Sequence, residues 1–263
     1  MAVPYTQRFF NSQRDVSLRS ARKVVPILVR LYKPNSVLDV GCGTGTWLSV
    51  FKECGVHSVL GLDGSYVDRS DLLIAPREFE AQDLAQPLTI DRRFDLTLCV
   101  EVAEHLPESA ASMLIEELTR SSQRVVFSAA IPGQGGTHHV NEQWQSYWAR
   151  LFLINGYYPD VAIRGLVWDD LDVEDYYAQN LMVFSPTVVG DDRMIDVVHP
   201  RRLSLMRQTA LAGQLDAMLA ARGSKVLLRT QVAVMKNAPR ALMSSARARL
   251  KFRRLLKVLR ARR

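Results

Sequence analysis

Apolar and polar positions along the first half of the chain repeat one motif. A short apolar run ends on an acidic or glycine-rich turn, and a helix-like stretch follows. Residues 13–32 carry Val16, Leu18, Val24, Val25, Ile27, Leu28 and Leu31 at roughly helical spacing, with Pro26 expected to kink or divide the helix. Lys33-Pro34-Asn35 is a stop-and-turn signal. Ser36–Val40 then reads as a buried strand, followed by the turn Gly41-Cys42-Gly43-Thr44-Gly45 and a helix over Thr46–Cys54. Further strands are expected at Ser58–Leu62 ending on Asp63, Phe79–Gln82 ending on Asp83, Phe94–Val100 and Arg124–Ala129, with a helix after Pro107. Strands alternating with helices at this spacing predict an α/β fold with a mostly parallel sheet.

Beyond Gly136 the rhythm changes. Trp144–Ile154 reads as an aromatic helix capped by Asn141, Val161–Ile163 and Leu181–Phe184 as late strands, and the chain from Arg201 as helical with a break at Asn237-Ala238-Pro239. Four regions follow: an N-terminal helical segment 1–33, a central α/β domain 34–190, a helical extension 191–239 and a basic tail 240–263.

Composition narrows the class. Of 263 residues 48% are hydrophobic and 23% charged, which excludes global disorder and small disulfide scaffolds. No apolar run is long enough for a membrane span, and the first fifteen residues show no signal-peptide core. Three cysteines, Cys42, Cys54 and Cys99, have no metal-type pairing and are expected as buried thiols in a reducing, cytoplasmic setting. The net charge of +7 is concentrated at one end: Arg240–Arg263 holds ten Lys/Arg and no acid, so subtracting ten leaves −3 on the rest. Phe252, Leu255, Leu256 and Leu259 place one apolar stripe on that tail. A basic amphipathic helix suits an anionic membrane surface, here the inner face, ahead of a solvated tail and ahead of nucleic acid.

The glycine turn carries the first chemistry. It follows a buried strand, and Asp63 ends the next strand. In an α/β sheet both face one crevice, where an acidic side chain accepts from both hydroxyls of a ribose. A dinucleotide fingerprint needs its third glycine one position later than Gly45. Asp39-Val-Gly-Cys-Gly-Thr-Gly45 resembles motif I of the class I S-adenosylmethionine-dependent methyltransferases, Gly-Leu-Asp63-Gly their ribose-binding strand end, and Gln82-Asp83-Leu84 their adenine-contacting segment. The resemblance covers roughly residues 15–185. It implies a Rossmann-like seven-stranded sheet and S-adenosyl-L-methionine as cofactor. Gly41, Gly43 and Gly45 would lie under its methionine and ribose, Asp39 would orient the loop or the amino group, Asp63 would hold the diol, and Asp83 and Leu84 would sit at the adenine.

The second chemistry is Glu101-Val-Ala-Glu104-His105, directly after the fourth strand, with Gly135-Gly136-Thr137-His138-His139 after the fifth. Helical spacing would put Glu101, Glu104 and His105 on one face. Two carboxylates and two imidazoles suit Mg²⁺, Mn²⁺ or Zn²⁺; a solvated turn is the plainer reading of the spacing. Glu-Val-x-Glu-His-Leu resembles the metal-binding segment of small-RNA 3′-terminal 2′-O-methyltransferases and of ubiquinone-pathway O-methyltransferases. That resemblance implies a metal at Glu101, Glu104, His105 and His139, with Glu104, His105 and His139 catalytic. Without a metal, His139 is the expected general base. His139 through Trp148 resembles bacterial methyltransferases associated with glycan and glycolipid assembly, with Trp144, Tyr147 and Trp148 as a sugar-stacking wall or as core. The expected activity is O-methylation of a hydroxyl on a sugar, glycolipid or related small molecule. An RNA 2′-O-methyltransferase and a non-catalytic cofactor-binding scaffold are the alternatives.

Overall fold

The computed structural model describes residues 7–188 and 195–221, with side chains for 14–188 and 195–214. The break at Asn237-Ala238-Pro239 and the basic tail 240–263 lie outside the described residues. The chain divides into two units, Met1–Arg202 and Leu203–Arg263. No described helix is long and apolar enough to cross a membrane.

In the first unit seven strands form one sheet: β1 (Ser36–Val40), β2 (Ser58–Asp63), β3 (Phe79–Ala81), β4 (Leu96–Val100), β5 (Val125–Ser128), β6 (Tyr158–Asp160) and β7 (Met182–Ser185). Their order is β3-β2-β1-β4-β5-β7-β6. The first five are mutually parallel, and β7 runs antiparallel to both β5 and β6. The central strands are continuous apolar runs because both sheet faces are covered by helices. The strand order reverses at the β1–β4 seam, so the loops leaving these two strands diverge and open a crevice.

Successive residues of the strands feed two cores. On one face Val37, Leu98 and Val126 pack with α1 (Gln7–Tyr32) and α2 (Thr46–Glu53). On the other, Leu38, Cys99 and Phe127 pack with α3 (Ala111–Ser121) and α4 (Gln145–Ile154). There Phe127 touches Trp148, Phe152 and Phe184, and the last two stack with centroids 3.7 Å apart. Cys42 and Cys99 are buried and Cys54 is half-buried.

Several expectations need correcting. Helix α1 runs unbroken through Pro26, because Ala21, Val24, Val25 and Leu28 are fully buried and hold the helix on both sides of the proline. Asn141 does not cap α4: Trp144 occupies the cap position without a side-chain bond, and buried Asn141 accepts from Gln143 instead. Val161–Ile163 is not a strand. It starts α5 (Ala162–Val167), where the Asp160 side chain accepts from the Ala162 N–H, and β6 lies just before it. The remaining helices are α6 (Asp175–Asn180) and α7 (Pro200–Ala221).

Candidate active site

The glycine loop forms at the end of β1 because Gly41, Gly43 and Gly45 all take positive φ, at 85°, 53° and 80°. A Cβ on Gly41 would lie 2.3 Å from Val102 Cγ2, so Val102, two residues beyond β4, packs directly on the loop. Gly41→Ala is therefore expected to destabilise the fold by about 1–3 kcal/mol in chemical denaturation and to weaken cofactor binding in parallel.

Asp63 clamps the loop from β2. Its Oδ2 accepts from Gly43 N–H at 2.7 Å, and its Oδ1 from Gly64 N–H at 2.7 Å and the Tyr66 hydroxyl at 2.5 Å. Burial pushes this carboxyl up, and the three donors oppose that shift. Asp39 lies beneath the loop without lining the cavity, and its buried Oδ2 has no partner. Burial, and then the charge on Asp63, push Asp39 up to about 8. A carboxyl raised in the fold favours the folded state only while protonated. Its contribution is complete below pH 4 and is lost as pH climbs toward 8. Asp39→Asn is thus expected to flatten the cofactor-free protein's decline in stability between pH 5 and 8. The gain at pH 8 should exceed about 1.4 kcal/mol, the equivalent of one pKa unit. Parallel melting curves for the two proteins across that range would disprove the assignment.

One cavity of about 470 Å³ opens over the loop. Gly41, Gly43, Asp63, Asp83 and Leu84 line it, as do Glu101, Glu104, His105 and His139. Gly45 does not; it starts α2 and packs on Ile74. The Asp83 carboxylate accepts from Ala85 N–H at 3.0 Å, which fixes its turn at the cavity edge. Both motif groups therefore converge on one space.

The β4 end is arranged differently from a helical turn. Glu101 adopts φ +55°, and Ala103–His105 forms a short 3-10 turn, so the three side chains do not share a helical face. Glu101 turns toward amides. Gln134 Nε2 donates to its Oε2 at 2.8 Å and Asn180 Nδ2 to its Oε1 at 3.1 Å. Glu104 is fully buried, and neither carboxylate oxygen has a hydrogen-bond donor in good geometry. Burial and then the Glu101 charge push its carboxyl well up. The Glu104 carbonyl accepts from the N–H groups of Val140 and Asn141, which staples the β5 loop to the β4 loop. That staple brings His139 to within 4.9 Å of His105, ring to ring. One ligand atom from each of Glu104, His105 and His139 lies within 4.8 Å of the others; Glu101 stands outside this group.

The two imidazoles differ in setting. Burial, followed by His139, pushes His105 down to about 4, so it is neutral at physiological pH. His139 Nδ1 lies 2.9 Å from Glu142 Oε1, and Glu142 is itself held by the N–H groups of Gly133 and Gly135. A carboxylate only accepts, so Nδ1 is the ring nitrogen that donates to Glu142, and Nε2 is the one turned to other partners.

A family model described as a methyltransferase domain matches residues 10–154, more than half of the chain. The chain belongs to the class I S-adenosylmethionine-dependent methyltransferases. S-adenosylmethionine is the cofactor of this methyltransferase. No curated protein sequence matches the chain. Among solved structures, DesVI of Streptomyces venezuelae superposes with a TM-score of 0.52 at 16% identity, covering 68% of this chain and 96% of that one. The sugar N-methyltransferase KedS8 of Streptoalloteichus sp. ATCC 53650 superposes with a TM-score of 0.54 at 15% identity, covering 72% and 95%. Both show the same fold.

Some of the cavity's residues carry no sequence signal. Trp47, Tyr66, Tyr176 and Tyr177 are its aromatic lining, whereas Trp148 is core and neither Trp144 nor Tyr147 reaches the cavity. Gln134 and Asn180 orient Glu101 at separations that no local pattern encodes, whereas Glu142 holds His139 from only three residues on.

Proposed function

We propose that this methyltransferase transfers the methyl group to a hydroxyl of a sugar, glycolipid or related metabolite, assisted by a divalent ion. The observation that carries the reading is the convergence of Glu104, His105 and His139 beside the glycine loop and Asp63 in one cavity. The donor set suits a cation: a buried carboxylate without a hydrogen-bond partner, a neutral imidazole, and a second imidazole whose Nδ1 is held by Glu142. Glu104, His105 and His139 would hold it. When bound, such an ion acidifies the acceptor hydroxyl.

The chain's own residues do the rest. The glycine loop and Asp63 would hold S-adenosylmethionine, which would supply the methyl carbon to the acceptor. The acceptor oxygen attacks that carbon in line with the carbon–sulfur bond. The bond breaks toward sulfur, which leaves a neutral thioether. The hydroxyl proton departs, and His139 Nε2 is the base that takes it if no ion is bound. Glu142 positions His139 and stabilises the resulting imidazolium. Carboxylates near the donor suit its sulfonium and ammonium charges.

The sugar-directed part draws support from the KedS8 superposition and from the segment between His139 and Trp148. The basic tail supports an acceptor at an anionic membrane surface. The test is a transfer assay with labelled S-adenosylmethionine against glycans, lipid extracts and RNA, with and without EDTA. EDTA-sensitive label in a glycan or glycolipid fraction, as an alkali-stable methyl ether, is expected. Label on amines or on RNA alone would overturn the reading.

A further inference from the structure

The lining of the cavity is split by polarity. Asp63, Asp83, Glu101 and Glu104 supply acceptors from the strand ends. The helices supply donors instead. Arg14 and Ser17 lie one turn apart on α1, Tyr176 and Tyr177 lie on α6, and Arg202 lies in the first turn of α7. Ser17, Tyr177, Tyr176 and Arg202 form a connected row. Ser17 Oγ is 3.1 Å from the Tyr177 hydroxyl, the Tyr176 and Tyr177 rings are 4.5 Å apart, and the Arg202 guanidinium is 5.3 Å from the Tyr176 ring.

Charge along this wall is left unbalanced. Arg202 is only 8% exposed and pairs with Asp175, yet its buried Nε has no acceptor. Arg14 donates to the Asp71 carbonyl at 3.1 Å, its buried Nε also lacks an acceptor, and among the described residues no carboxylate pairs with it. Arg202 thus has one carboxylate partner and Arg14 none among the described residues, and a guanidinium beside a cavity without a paired acceptor is costly. The methyl donor does not correct this. It brings one carboxylate with two positive centres and so adds net positive charge.

Resting on the reading that the strand ends hold the donor, we propose that the methyl acceptor carries an oxyanion, a carboxylate or a phosphate, bound at Arg14 and Arg202. Guanidinium groups take such groups through paired N–H donors, and the Tyr177 hydroxyl adds a further donor beside them. The acceptor hydroxyl then reaches toward His139 while its charge stays on the helical side.

The test uses the full chain saturated with S-adenosylhomocysteine. Melting is followed while inorganic phosphate, acetate or sodium chloride is added at matched ionic strength. Phosphate or acetate is expected to stabilise the complex saturably beyond chloride, and the more effective of the two identifies the kind of oxyanion. In Arg14→Gln and Arg202→Lys the half-saturating concentration should rise about tenfold, the scale of losing one charged hydrogen-bond pair. Arg14 is half-buried and Arg202→Lys keeps a cation for Asp175, so both variants should fold. Their affinity for S-adenosylhomocysteine should stay within about threefold of wild type, a change of under 1 kcal/mol. Wild-type protein that binds S-adenosylhomocysteine and responds to all three salts alike would overturn the oxyanion site alone. Loss of S-adenosylhomocysteine affinity in both variants would assign the arginines to the donor's own carboxylate and overturn it as well. Wild-type protein that binds the oxyanion but not S-adenosylhomocysteine would leave this site standing and remove the donor reading.

Discussion

Asp63→Ala is expected to weaken S-adenosylhomocysteine binding by about 2–4 kcal/mol, roughly 30- to 1,000-fold, the scale of losing two hydrogen bonds to a charged acceptor. The structure adds a constraint on how the ribose is held. A carboxylate offers about four lone-pair sites, and three already accept from Gly43, Gly64 and Tyr66. A diol needs two. The Gly43 and Gly64 N–H groups are fixed by the loop, so the Tyr66 hydroxyl is the donor that must yield. Tyr66→Phe should therefore bind S-adenosylhomocysteine at least as tightly as wild type, whereas Asp63→Asn should lose affinity because its amide cannot accept from both backbone sides. Calorimetry on the three variants separates these outcomes. Unchanged affinity in Asp63→Ala would remove Asp63 from the ribose site.

The sheet and the glycine loop were legible because their causes are local. A parallel strand buried on both faces must be a continuous apolar run, as Val37–Val40 nearly is, and three glycines at such a turn answer to positive φ. The acidic strand end Asp63 could be read for the same reason: one residue at one boundary. The metal-type cluster was half legible. The family resemblance pointed to Glu101, Glu104, His105 and His139, while spacing suggested a helical face that the 3-10 turn and the φ of Glu101 break. What joins His139 to them is a pair of backbone bonds from Val140 and Asn141 to the Glu104 carbonyl, and a backbone carbonyl leaves no mark on residue type. Pro26 does not divide α1 because burial of one helix face outweighs one missing hydrogen bond. The arginines of the cavity wall were invisible for a further reason. Arg14 and Arg202 stand 188 positions apart, and only folding shows that each lacks a full complement of acceptors.

Glu104→Gln is expected to lower turnover by at least about 100-fold while making the cofactor-free protein more stable near neutral pH. The two effects share one cause. Glu104 is fully buried, unpartnered and beside Glu101, so its carboxyl is held well above the usual range. Such a group favours the fold while protonated, and that support fades as pH rises through its folded pKa. Glutamine has the same shape and no proton to lose, so the variant should lack this part of the pH slope. A site that destabilises its own fold is explained if something binds there. A divalent ion at 100 times its dissociation constant would return about 2.7 kcal/mol to the wild type. Melting with Mg²⁺, Mn²⁺ and Zn²⁺ should therefore raise the transition of wild-type protein saturably and leave that of Glu104→Gln unmoved. His139→Ala should lose turnover to a similar degree, and the double variant should be little worse than either, because all three forms lack the same ion. Cofactor binding, held by the glycine loop and Asp63, should survive in every case. Wild-type protein that is fully active in EDTA and indifferent to all three ions would remove the metal. It would leave His139, oriented by Glu142, as the base that takes the acceptor's proton.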